Sequence, residues 1–145
     1  MGYKRKARIL FLGMHHACRA PMAEGLANAL GDGWIEARAA GLDPQPLDPL
    51  AVAAMAEAGI ILADHRSPLT ADLLRWADLV VTLDTAARDR CPPLPSGVQH
   101  RHYPFAIPAD GLPSYRALRE QIRVRVAGMI GGMKMLQRDS ESLFQ

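Results

Sequence analysis

Ala7 to Leu12 is a short apolar run that suits a strand buried on both faces, and after the seven residues Gly13 to Arg19 a good helix sequence follows. The rest of the chain has to be built around this unit of strand, loop and helix. Pro21 is acceptable only in the first turn of the helix. Met22, Leu26, Ala29 and Leu30 then recur at helical spacing until Gly31 ends it. The helix is therefore predicted to begin immediately after Arg19.

Further along, Ile35 to Ala40 reads as a second strand. A turn rich in proline, through Asp43, Pro44 and Pro46, leads to Asp48 as N-cap and Pro49 as first helical residue. Leu50, Val52, Met55 and Ala56 give a helix stopped by Gly59, and Thr70 caps a short helix containing Leu73, Leu74 and Trp76. Leu79 to Leu83 is the clearest β-branched strand. A brief helical turn through Ala86 to Asp89 precedes the breaker Pro92, Pro93 and Pro95, and Val98 to Tyr103 is predicted as a last strand. Ser114 is predicted to cap a long helix whose Leu118, Ile122, Val126, Met129, Ile130 and Met133 share one face, with Gly128, Gly131 and Gly132 weakening its second half. Strands alternating with helices predict a parallel, doubly wound α/β sheet with ligands at the carboxyl ends of the strands. The 145 residues suffice for one domain, 1–145, with residues 1–6 and 139–145 expected to fray.

Several function classes are set aside by composition. The longest apolar runs fall far short of the ~20 residues of a membrane helix, and the basic start Gly2-Tyr-Lys-Arg-Lys6 lacks the features of a secretion signal. A net charge of +2, with acids and bases spread along the chain, gives no concentrated basic face for nucleic acid. Cys18 and Cys91, without a secretion signal, fit a reducing, cytoplasmic compartment rather than a disulfide scaffold.

Chemistry gathers in the loop Gly13-Met-His-His-Ala-Cys-Arg19. The unpaired backbone N–H groups and dipole of a helix N-terminus favour an anion, and Arg19 adds a planar fork of donors suited to a tetrahedral oxyanion. The plain alternative, an ordinary connection whose Arg pairs with a surface acid, fits the spacing equally well. His15, His16 and Cys18 are metal-ligating types, but adjacent histidines point in different directions, and no CxxC or HxxxH pairing supports a metal. One histidine at the mouth of an anion site is the better use of them. Cys18, near Arg19 and a helix start, has the setting of an oxidation-sensitive thiol, although a buried small hydrophobe explains it more simply. Cys91 before Pro92 reads as a structural thiol. His100 and His102 share a strand face, and exposure accounts for them. Trp34, Trp76 and the methionines of the last helix read as packing residues.

Phe11-Leu-Gly-Met-His-His-Ala-Cys-Arg-Ala-Pro-Met-Ala-Glu-Gly25 resembles the phosphate loop of low-molecular-weight protein tyrosine phosphatases and thioredoxin-coupled arsenate reductases. Further matches are Ala39-Ala-Gly-Leu-Asp-Pro-Gln-Pro-Leu-Asp-Pro-Leu50, Met55-Ala-Glu-Ala-Gly-Ile60, His65-Arg-Ser67, Ala77-Asp-Leu-Val-Val-Thr-Leu83 and Cys91-Pro92. The middle section is more similar to the reductase branch. This resemblance implies a four-stranded parallel sheet of flavodoxin-like order 2-1-3-4 with helices on both faces. It also implies oxyanion binding by Met14, His15, His16, Ala17, Cys18 and Arg19, and no cofactor.

Under the same resemblance the family's nucleophilic Cys aligns with Gly13, the hydroxyl residue after the loop Arg with Ala20, and the catalytic Asp with Ile107 before Pro108. The loop's Gly and Asn align with His15 and His16, and the reductases' second cysteine aligns with Asp84. Cys18 matches the second loop cysteine. Cys18 and Cys91 are the candidate redox thiols, and Asp110 is the acid nearest the missing Asp. These departures predict a noncatalytic domain holding phosphate, sulfate, arsenate or a phosphorylated ligand without turnover. The enzyme alternative is a divergent tyrosine phosphatase or arsenate reductase using Cys18 or Cys91 with Asp110, or a hydrolase helped by His15 or His16. A protein-interaction scaffold with no anion is the third reading. Neither nucleic acid nor membrane is expected as a partner, and a homodimer is one assembly the sequence allows.

Overall fold

In the computed structural model, residues 5–62 and 67–143 are described, with side chains through Lys134. The strands are β1 (Ala7–Gly13), β2 (Ile35–Gly41), β3 (Leu79–Thr82) and β4 (Gln99–His102). The helices are α1 (Arg19–Leu30), α2 (Pro49–Glu57), α3 (Ala71–Trp76), α4 (Thr85–Arg90) and α5 (Leu112–Leu143). All pairings are parallel and the sheet order is β2-β1-β3-β4, as expected. In register, Ile9 lies opposite Ala37 on one side and Leu79 on the other.

Alternation along the central strands sends side chains into two cores. Ile9, Phe11, Leu79 and Val81 pack with residues of α1, α2 and α5, including Met22, Met55 and Ile122. Leu10, Leu12 and Val80 pack on the opposite face with Leu74 of α3 and Ala87 of α4. Ile9, Leu10, Leu12 and Val80 are fully buried, which is why β1 and β3 read as continuous apolar runs.

The outer strands are handled differently. At β2, Glu24 Oε2 accepts the Ala39 N–H at 2.6 Å. Asn28, one turn on, accepts the Ala37 N–H at 2.8 Å and donates to its carbonyl at 3.1 Å. Two α1 side chains thereby pair backbone groups of an edge strand. At β4 the edge is left to polar, largely exposed side chains.

Asp48 and Thr70 cap α2 and α3 as predicted, accepting from the Leu50 and Leu73 N–H groups. Arg19 itself opens α1, one residue earlier than expected. The predicted turn at Ala86 to Asp89 is the helix α4, N-capped by Asp84, whose side chain accepts the Ala87 N–H. Ser114 does not cap α5: the helix starts at Leu112, and the Ser114 hydroxyl donates back to the Asp110 carbonyl at 3.5 Å. Gly128, Gly131 and Gly132 do not interrupt α5, and the helix runs across 139–143, where fraying was expected. At the other end, Arg5 is fixed by both guanidinium nitrogens to Asp78, each at 2.7 Å. Residues 1–4, 144–145 and the His65-Arg66 match lie outside the described residues. Among the described residues no helix is long and apolar enough to cross a membrane.

Candidate functional site

The loop between β1 and α1 walls a cavity of about 190 Å³ at the carboxyl end of the sheet. Its shape comes from the chain leaving β2. The Leu42, Asp43, Gln45 and Asp48 N–H groups donate to the carbonyls of Gly13, Met14, His15 and Ala17 at 3.2, 2.7, 2.7 and 2.9 Å. Those four bonds hold the loop's carbonyls against the chain leaving β2, and the loop runs directly into the N-terminus of α1, the end of a helix that favours an anion. His16 is buried and takes φ 48°, the left-handed conformation that asparagine tolerates well and histidine less readily. Gly41 makes room for it, because a Cβ there would lie 2.7 Å from the His16 Cβ and 2.9 Å from its backbone nitrogen.

Arg19 projects from the first turn of α1 into the cavity wall. One guanidinium nitrogen donates to the Phe105 carbonyl at 2.7 Å, and the other lies 3.4 Å from Asp84 Oδ2. An acid partner for this Arg was the plain alternative. The partner, however, sits at the exit of β3 with only 13% of its side chain exposed, not on the surface. The same Asp84 oxygen accepts the Met14 N–H at 3.0 Å, while Oδ1 accepts the Ala87 N–H at 2.7 Å. A Cβ built on Gly13 would lie 3.6 Å from Asp84 Oδ2. A carboxylate thus stands beside the first residue of the loop.

Asp48 and Tyr115 complete the wall opposite. The Tyr115 hydroxyl donates to Asp48 Oδ2 at 2.5 Å, and this bond, with burial behind it, pushes the phenol up to about 12. Cys18 lines the cavity, but no side-chain capping bond ties it to α1; its thiol meets the Met22 sulfur at 3.7 Å. Burial first, then the Asp48 charge, push this thiol up to about 12 against the opposing pull of Arg19. The oxidation-sensitive setting that Arg19 suggested for Cys18 is therefore outweighed by desolvation, in line with the simpler reading of Cys18 as a small packing residue.

The remaining candidates separate from the loop. Cys91 packs with the core on the other face of the sheet from Cys18, and burial raises its thiol too. Ile107 is 76% exposed and borders the cavity with Pro108, whereas Asp110 is exposed and does not line it. His15 lies 3.9 Å from Asp43, at the mouth. His100 Nε2 and His102 Nδ1 lie 2.9 and 2.7 Å from the fully buried Thr82 hydroxyl, so these histidines serve a buried group and are not explained by exposure alone. Among the described residues no three His, Cys, Asp or Glu side chains are grouped to hold a metal.

Sequence reasoning missed Asp84 as a member of the site, noticing only the residue it replaces, and missed Asp48 beyond its capping role. The exit of β3 was the available signal, since all parallel strands of such a sheet end at the ligand side.

Comparison with known proteins places these features in a lineage. Residues 8–105 match the model of a family described as low molecular weight phosphotyrosine protein phosphatase. Arsenate reductase 1 of Staphylococcus haemolyticus is 37% identical over 124 residues, covering 83% of this chain and 92% of that protein. Arsenate reductase of Bacillus subtilis is 44% identical over 103 residues, covering 70% and 73%. The crystal structure of a low molecular weight protein tyrosine phosphatase from T. tengcongensis superposes with TM-score 0.78 at 26% identity, over 88% of this chain and 99% of that one. These likenesses overturn the expectation of a noncatalytic oxyanion-binding domain. Relatives 36–44% identical are named arsenate reductases, and a cysteine, Cys18, stands in the cavity wall.

Proposed function

The chain belongs to the low molecular weight phosphotyrosine protein phosphatase family, and on that premise we propose that it is an active enzyme of the arsenate reductase type. Its oxyanion would be held at the loop from Gly13 to Arg19. The observation carrying this reading is a thiol, Cys18, beside an Arg at the head of α1, in a chain 37% identical over 124 residues to an arsenate reductase.

In this reading the amides from Met14 to Arg19 cradle arsenate, the Met14 N–H turning to it from Asp84 Oδ2, and the Arg19 guanidinium neutralises part of its charge. Gly13 carries no thiol, Ala20 no hydroxyl and Ile107 no acid, so the sulfur chemistry falls to Cys18. Its sulfur bonds to arsenic as an arsenic–oxygen bond breaks, and the thiol proton leaves with that oxygen as water. A second thiol then attacks the Cys18 sulfur. A disulfide forms, and arsenite departs with the electron pair of the broken sulfur–arsenic bond. Cys91 packs on the other face of the sheet, so this second thiol comes from an external dithiol protein, which also regenerates Cys18. Two free cysteines support a reducing, cytoplasmic setting for the cycle.

The test is arsenite production from arsenate with a thioredoxin-class dithiol as reductant, run on wild type and on Arg19→Ala, Cys18→Ala and Cys91→Ala. Turnover by wild type and Cys91→Ala, lost in the other two, is expected. Full turnover in Cys18→Ala removes the thiol assignment. Cleavage of p-nitrophenyl phosphate without arsenite production moves the chain to the phosphatase side of its family.

A further inference from the structure

Asp84 contacts two of the groups that an oxyanion at the loop requires, the Met14 N–H and the Arg19 guanidinium. Its side chain is only 13% exposed, and it lines the cavity as one of two carboxylates, the other being Asp48. Asp48 has one oxygen on the Leu50 N–H and the other on the Tyr115 hydroxyl. Among the described residues that line the cavity, Arg19 is the one arginine or lysine.

An ionised carboxylate can only accept hydrogen bonds. A ligand oxygen placed against it therefore either brings a proton to share or meets another acceptor, and two anionic acceptors facing each other in a poorly solvated wall repel. Inorganic phosphate and arsenate keep at least one proton at neutral pH and present a donor. Sulfate keeps none. A phosphomonoester, whose second pKa is about 6, is mostly the unprotonated dianion at that pH.

From this geometry we propose that Asp84 is the specificity residue of the site, admitting protonated inorganic oxyanions and rejecting sulfate and phosphomonoester dianions. The inference rests on the oxyanion reading above and sharpens it. An arsenate hydroxyl donates to Asp84 Oδ2 while the remaining oxygens take Arg19 and the loop amides. Sulfate bound in the same pose sets an oxygen lone pair against the carboxylate. The residue that replaces a reductase cysteine would thus select the reductase's substrate class by hydrogen bonding.

The experiment is calorimetric titration at pH 7.5 of phosphate, arsenate, sulfate and phenyl phosphate into wild type, Asp84→Asn and Arg19→Ala, with circular dichroism to confirm folding. Phosphate and arsenate should bind wild type about 100-fold more tightly than sulfate, the scale set by leaving a buried acceptor without its donor. In Asp84→Asn, whose amide can donate, sulfate should gain until it lies within about five-fold of phosphate. Sulfate binding wild type as tightly as phosphate does overturns the role of Asp84 and leaves the oxyanion site standing. So does an unchanged ratio in a folded Asp84→Asn. If wild type binds none of these anions, the oxyanion reading falls and this inference with it. The wild-type ratio decides even where the variant does not fold.

Discussion

Arg19 is committed twice before any ligand arrives, to the Phe105 carbonyl and to Asp84, with only 15% of its side chain exposed. Removing it does more than delete a binding group, because Asp84 would remain in the wall without its cation. Arg19→Ala should lose about 3–5 kcal/mol of stability, the scale for removing one partner of a largely buried ion pair, as read by urea unfolding. A loss under half a kcal/mol would mean that the pair is solvated in solution. Cys18 gives a second residue-scale prediction. A thiol held up to about 12 is almost wholly protonated at pH 7, so its alkylation by iodoacetamide should be far slower than that of a free thiol. The rate should rise about tenfold per pH unit between pH 7 and 9. A rate that is flat with pH would show a thiolate already formed.

At the scale of elements, the site is built where the exit of β2 lies across the loop that follows β1. Gly41 is the point of closest approach, and a methyl group there would push on the backbone nitrogen of His16 at 2.9 Å. Backbone cannot swing aside as a flexible side chain can. Gly41→Ala should therefore cost about 1–3 kcal/mol by overpacking and weaken phosphate binding at least tenfold, measured by thermal melting and titration. Unaltered binding would show that the loop tolerates displacement. The helices that carry their own signals were legible from sequence: α1 from its spacing, α2 from Asp48 and Pro49, α3 from Thr70. Contacts across the fold were not. In the sequence Asp84 marks only the position of the reductases' second cysteine until β3 is set beside β1, and only the pairing of β3 with β4 brings His100 and His102 onto Thr82. For Cys18 the sequence offered both an Arg19 neighbour and burial as a small hydrophobe, and the desolvation that decides between them is a property of the folded wall.

For the molecule as a whole, α5 closes one face of the sheet and is tied to α2 close to the cavity. Tyr115 bonds Asp48, while Arg116 and Arg119 both reach Glu57, at 2.7 and 3.2 Å. Arg119 also donates to the Ala54 carbonyl at 2.5 Å, which holds it against α2 independently of Glu57. The Arg116 hydrogen bond is the main reason that the Glu57 carboxyl falls from its ordinary 4.5 to about 2, with Arg119 adding to it. A carboxyl depressed in the folded state stabilises that state above its unfolded value, and the stabilisation drains away as pH falls through the folded value. The clamp should therefore act fully above pH 4.5 and disappear as pH approaches 2. Because Glu57 is partly exposed, salt should weaken the effect as well. Wild type should melt above Glu57→Gln at pH 6 in low salt, and the gap should close progressively between pH 4.5 and 2. A gap independent of pH would assign the difference to packing, and α5 would then be held to α2 without electrostatic help.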